Sequence, residues 1–160
     1  MSHSEMSKCP LRFEFINARS VCNKLNLVSN YLLSQSDLDL LFVTESWLSS
    51  NYTDSMCCPN GFNILRCDRS YGKGGGVVVF YRSELHIKHI DVKLESDTCY
   101  ELICVDLFSF TNFLCRFCCV YLPPTQPACV IEALCASLGN LVLYDRLILI
   151  FGDFNLLNID

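Results

Sequence analysis

Apolar residues recur along this chain in two rhythms, one of period two and one near 3.6, and the order in which they alternate predicts the elements. Leu11 to Ile16 alternates, with Leu11, Phe13 and Phe15 on one side and Arg12 and Glu14 on the other, as a half-buried strand does. From Ser20, read as an N-cap, Val21, Leu25, Val28 and Leu32 recur at intervals of four, three and four, which predicts an amphipathic helix as far as about Gln35. Leu38 to Thr44 (LDLLFVT) is a short apolar run with β-branched residues at its end, a buried strand leading into Glu45. A loop with Trp47, Tyr52 and the turn Cys57-Cys58-Pro59-Asn60-Gly61 comes next. The strand Phe62 to Cys67, the turn Gly72, Gly74, Gly75 and Gly76, and the run Val77 to Tyr81 then predict a hairpin.

Two or three further strands fit His86 to Val92, Cys99 to Leu107 and Phe113 to Leu122, the last stopped by Pro123-Pro124, with antiparallel pairing expected. After Pro127, Val130, Leu134, Leu138 and Leu141 mark a second amphipathic helix, and Arg146 to Phe151 (RLILIF) is a buried strand that ends at Gly152-Asp153-Phe154-Asn155. The order β-α-β, several β, then α-β predicts an α/β fold of two mixed sheets packed face to face with helices outside. No repeat, low-complexity stretch or linker divides the chain. Residues 1–10 are read as a flexible leader and 11–160 as one domain.

Composition narrows the classes. Apolar residues are 51% and charged residues 18% of the 160, which excludes a disordered tail. No apolar run approaches the ~20 residues that cross a bilayer, and the start MSHSEMSKCP has no signal-type apolar stretch, so an intracellular setting, nuclear or cytoplasmic, and no membrane partner are expected. The net charge of −5 argues against binding nucleic acid through a broad basic surface; any such contact must be local or metal-mediated. The 12 cysteines fall inside apolar runs as often as in loops and are read as reduced core residues. Cys115 and Cys118 have C-x-x-C spacing, but on a strand they face opposite sides and cannot grip one Zn²⁺.

Four polar positions each stand just after an apolar strand: Asn17, Glu45, Tyr121 and the pair Asp153 and Asn155. In α/β sheets ligands collect beyond the carboxyl ends of strands, so this shared placement predicts a site. Singly, each has a plainer explanation: Asn17 as a turn cap, Glu45 as a solvated strand end, Tyr121 as core with its hydroxyl satisfied.

Five segments in order, INARSVCNKLNLV (16–28), DLDLLFVTESWLS (37–49), GFNILRCDRSYGKGGGVVVFYR (61–82), CVYLPP (119–124) and LILIFGDFN (147–155), resemble the endonuclease of non-LTR retrotransposons, a branch of the endonuclease/exonuclease/phosphatase superfamily. The resemblance implies a four-layered α/β sandwich that hydrolyses DNA phosphodiesters with Mg²⁺, or Mn²⁺ in its place. It implies that Asn17 and Glu45 hold the metal, that Tyr121 hydrogen-bonds the scissile phosphate, that Asp153 positions or deprotonates the attacking water, and that Asn155 steadies the phosphate. Leu122 departs from the Arg or Ser often found after that tyrosine. Asp68-Arg69 is a recurrent pair for which either DNA contact by Arg69 or a structural ion pair is open.

The residue types suit that chemistry: Mg²⁺ takes oxygen ligands and retains waters, so one or two carboxylates and a substrate phosphate suffice. The same resemblance implies a further metal-proximal Asp or Asn and a Ser-Asp-His ending. Neither follows Asn155, and His3, His86 and His89 do not match. The chain is therefore read as cut off at its C-terminus, with an apolar last strand left as an unpaired edge and poor solubility expected. DNA, and a downstream reverse transcriptase in a longer parent, are the expected partners. A catalytically dead relic or binding module of the same fold, or less favourably a phosphatase for a phosphoester outside nucleic acid, are the competing readings.

Overall fold

Burial along the central strands decides which faces meet. Every residue of β2 (Leu40–Thr44) is buried, yet the strand's period of two sends Leu40 and Phe42 to one side and Leu41 and Val43 to the other. Leu41 and Val43 pack with Val28 and Leu32 of helix α1 (Leu25–Ser34). Leu40 and Phe42 meet Ile103 and Val105 of β6 (Glu101–Ser109) and Phe117 of β7 (Asn112–Tyr121). The outward residues of those last strands, Leu102, Cys104, Cys118 and Val120, lie under Leu134 and Leu141 of α3 (Ala128–Leu141). The layers are helix, sheet, sheet, helix, with one core between the sheets and one under each helix.

The computed structural model describes residues 10–70, 72–92, 99–143 and 145–156. One four-stranded sheet has the order β1-β2-β4-β3, with β1 at Phe13–Asn17, β3 at Phe62–Cys67 and β4 at Val77–Arg82; the other is β5-β6-β7-β8, with β5 at His86–Ile90 and β8 at Ile148–Asp153. The pairs β1–β2 and β7–β8 are parallel, and the other four, the β3–β4 hairpin among them, are antiparallel. The two-sheet α/β sandwich expected from the sequence is the fold observed. Cys115 and Cys118 lie in different cores, on opposite faces of β7.

Two local expectations differ from the structure. Ser20 does not cap a helix: its backbone has φ 87°, and its N–H and that of Val21 donate to the carbonyls of Glu45 and Ser46, each at 2.8 Å. Tertiary pinning to the segment after β2 thus overrides the capping preference; a 3-10 turn, Cys22–Lys24, intervenes and α1 starts at Leu25. In the loop after β2, a single helical turn, α2 (Asp54–Cys57), was not signalled by any periodicity.

Arg116, which interrupts the apolar run of β7, faces Asp106 in register on β6. Its Nε and Nη2 donate to the Asp106 carboxylate at 2.6 and 2.8 Å, and Nη1 donates to the Leu141 carbonyl at 2.8 Å, closing the end of α3. Both residues are buried. Arg116→Met is expected to cost about 3–5 kcal/mol because it strands a buried carboxylate, while Arg116→Met combined with Asp106→Leu recovers most of that loss in chemical denaturation.

β1 and β8 end their sheets on the same side of the sandwich. Phe13 and Phe15 contact Phe151, each at a centroid distance of 5.8 Å. Even so, Phe13 and Phe15 keep 36% and 37% of their surface, and Ile150 43%, because among the described residues nothing lies beyond those strands. Among the described residues, no helix is long and apolar enough to cross a membrane.

Candidate active site

Strand direction assembles the site. Asn17 ends β1 opposite Thr44, and Glu45 is the next residue of the chain beyond β2. Tyr121 ends β7 opposite Asp153, the last residue of β8. Parallel pairing inside each sheet sets these ends side by side, and face-to-face packing brings the two pairs to one rim. The Asn17 amide joins them: Nδ2 donates to Glu45 Oε1 at 3.2 Å and to Asp153 Oδ2 at 2.7 Å. The Tyr121 hydroxyl donates to the same Glu45 oxygen at 3.4 Å. The Asn17 carbonyl oxygen accepts the Arg19 N–H at 3.1 Å, which fixes which way the amide faces.

Close backbone packing holds these groups. Glu45 and Trp47 both have left-handed backbones, φ 53° and 56°, a conformation non-glycine residues adopt at a cost. The turn is held open on both sides: the Ser20 N–H bonds the Glu45 carbonyl, while Ser46 and Trp47 donate to the carbonyls of Gly76 and Gly75 at 3.2 and 3.0 Å. A Cβ on Gly76 would lie 2.5 Å from Ser46 Oγ, so the glycine turn that precedes β4 is also the floor beneath Glu45. Opposite, Gly152 lies in register with Val120, so close that an added Cβ would fall 1.9 Å from the Val120 carbonyl oxygen.

Of the six residues singled out in the sequence, the structure brings Asn17, Glu45, Tyr121 and Asp153 together. Asn155 is adjacent but turned: its backbone N–H donates to Asp153 Oδ1 at 3.3 Å and its Nδ2 to the Leu122 carbonyl at 2.9 Å, so its side chain ties the turn after β8 to β7. Arg69 gives two nitrogens to Glu101, Nε at 2.7 Å and Nη2 at 3.2 Å, while Asp68 pairs with Arg66. Arg69 is thus ion-paired with Glu101 and not with its neighbour Asp68. Glu101, buried at the start of β6, was not singled out; the only sign of it was a carboxylate heading an apolar strand. His86 and His89 are exposed on β5, the strand of their sheet farthest from β8.

The electrostatics follow from burial. Tyr121 is 5% exposed; burial first, then the charge of Glu45, raises its phenol pKa above the ordinary value, while the Arg69 guanidinium works the other way. The hydroxyl is thus a neutral donor. Among the described residues no group of three or more His, Cys, Asp or Glu is gathered as a metal site. Two carboxylates that meet at one Asn17 nitrogen nevertheless offer the hard oxygen donors that suit Mg²⁺ or Mn²⁺, while the Asn17 oxygen is turned to the Arg19 N–H.

Two four-stranded sheets packed face to face with helices outside, and polar side chains gathered at the carboxyl ends of their strands, define the class as a four-layered α/β sandwich. The sequence matches the model of the Endonuclease/Exonuclease/phosphatase family over residues 15–158, and the chain belongs to that family. The family is generally hydrolytic and its enzymes generally use divalent metal ions. Similar solved structures include an AP endonuclease from Archaeoglobus fulgidus (TM-score 0.68, 16% identity, 91% of this chain and 58% of that one). Others are a 3' phosphatase from Neisseria bound to product DNA hairpin (0.64, 16%, 91% and 58%) and the human Nocturnin catalytic domain (0.60, 14%, 84% and 57%). At these identities they establish the fold. The chain spans less than two thirds of the length of each. Comparison with curated proteins found no match.

Proposed function

We propose that this chain is the larger part of a divalent-metal-dependent DNA endonuclease that nicks one strand, of the type non-LTR retrotransposons carry. The observation that carries the reading is the double hydrogen bond of Asn17 Nδ2 to Glu45 and Asp153, which brings carboxylates from two different sheets to one solvent-facing point. Glu45 would hold the metal, its carboxylate steadied by the Asn17 amide N–H, and the metal would supply Lewis-acid polarisation of a phosphoryl oxygen. Asp153 accepts the proton of the attacking water. Tyr121 donates its neutral O–H where negative charge grows on the phosphate, a contribution that strengthens toward the transition state. Retrotransposon type, DNA as substrate and a downstream reverse transcriptase rest on the sequence resemblance.

The same reading holds that segments beyond residue 160 complete the site and cover the open β1 and β8 edges. The similar solved structures are longer than this chain, and the exposed Phe13, Phe15 and Ile150 are the kind of surface a further strand would bury. The test is supercoiled plasmid with Mg²⁺, with and without chelator, treated with this chain and with a C-terminally extended polypeptide. Nicking by the extended protein that stops with chelator is expected, with this chain slower or inactive. Nicking that survives chelation rejects the metal dependence, and no nicking by either protein rejects the reading in favour of a binding module of the same fold.

A further inference from the structure

Arg69 follows β3 in the first sheet, and Glu101 opens β6 in the second. Their two-pronged ion pair therefore spans the sandwich, with side chains only 19% and 8% exposed. Glu101 lies in register with Tyr121, and the Arg69 guanidinium carbon sits 5.4 Å from the centre of the Tyr121 ring. Gly75 makes the room: a Cβ there would come within 2.5 Å of Arg69 Nε and Cζ. The Gly75 carbonyl in turn accepts the Trp47 N–H two residues after Glu45, so one turn touches both the cation and the segment that presents the carboxylate.

We propose that Arg69 and Glu101 are positioning residues that hold the Tyr121 ring between the sheets so that its hydroxyl faces Glu45, with Gly75 providing the slot for the guanidinium. The proposal rests on the site described above and adds residues that do not touch the reacting atoms. An apolar pair of similar volume would join the sheets as well as a nearly buried ion pair does. What it would lack is a planar cation fixed by a carboxylate against one ring, which only arginine supplies. The charged groups that act on Tyr121 are Glu45, Asp153 and Glu101, which raise its pKa, and Arg69, which lowers it.

That contrast sets the test. The double substitution Arg69→Met with Glu101→Leu removes the cation and its partner together, so no buried charge is stranded. Tyrosine-selective ¹³C NMR of the whole chain, with the Tyr121 resonance assigned by its loss in Tyr121→Phe, follows the ring. The expected result is near-native resistance to denaturant, a displaced Tyr121 resonance, and, in the nicking assay, kcat lower by roughly tenfold to a hundredfold with KM little changed. A Tyr121 resonance identical to that of the unsubstituted protein overturns the proposal. Should the double variant fail to fold, Arg69→Lys keeps the charge without the fork, and the same comparison decides. Absence of nicking by the unsubstituted protein would remove the endonuclease reading but leave the Tyr121 resonance to judge the positioning pair.

Discussion

Gly152→Ala is expected to leave the chain without a cooperatively folded native state. The added methyl would sit 1.9 Å from the Val120 carbonyl oxygen and 2.7 Å from the Val120 nitrogen, and both are backbone atoms of a central strand that cannot swing aside. The φ of 150° at this position is a second obstacle, because alanine rarely adopts it. Relief requires β8 to move off β7, which undoes the pairing of Arg116 through Tyr121 with Ile148 through Asp153 and withdraws Asp153 from Asn17. Overpacking that displaces backbone exceeds the ~1–3 kcal/mol of ordinary core insertions and belongs with the rare losses above about 4–5 kcal/mol. Circular dichroism with urea titration checks it: a transition as steep as the unsubstituted protein's and within about 1 kcal/mol of it would show that the close approach is not required.

Asp153→Ala should do the opposite, sparing the fold and removing activity. Its side chain stands at the rim, half-buried, where it accepts from Asn17 Nδ2 and from the Asn155 N–H. Removing it costs solvent-accessible hydrogen bonds and relieves the meeting of two carboxylates, so stability is expected to change by less than about 1 kcal/mol. If Asp153 takes the proton of the attacking water, the rate of plasmid nicking by the C-terminally extended polypeptide falls by roughly 10²–10⁴-fold. Comparable nicking by Asp153→Ala would place the proton acceptor elsewhere, and a large stability loss would make Asp153 a structural residue first.

The elements were legible to different degrees for physical reasons. β3 and β4 needed only β-favouring runs on either side of a glycine turn, and α3 only a 3.6-period stripe after Pro127, because those signals are local. Ser20 misled because capping preference is weak beside two backbone hydrogen bonds from a segment 25 residues away. Glu101 went unremarked because its partner is 32 residues distant on another sheet. Asn155 was visible as a polar residue in a tight turn, but where its amide points depends on the Leu122 carbonyl of a neighbouring strand.

By itself the sequence determined which residues could enter each element and which polar groups would stand at strand ends, since both follow from neighbours a few positions apart. Only the tertiary structure decided that two parallel pairs, one in each sheet, would turn Glu45 and Asp153 toward the same Asn17 nitrogen. Sheet order and face-to-face packing join residues 136 positions apart in the chain, and no local periodicity encodes which rims will meet.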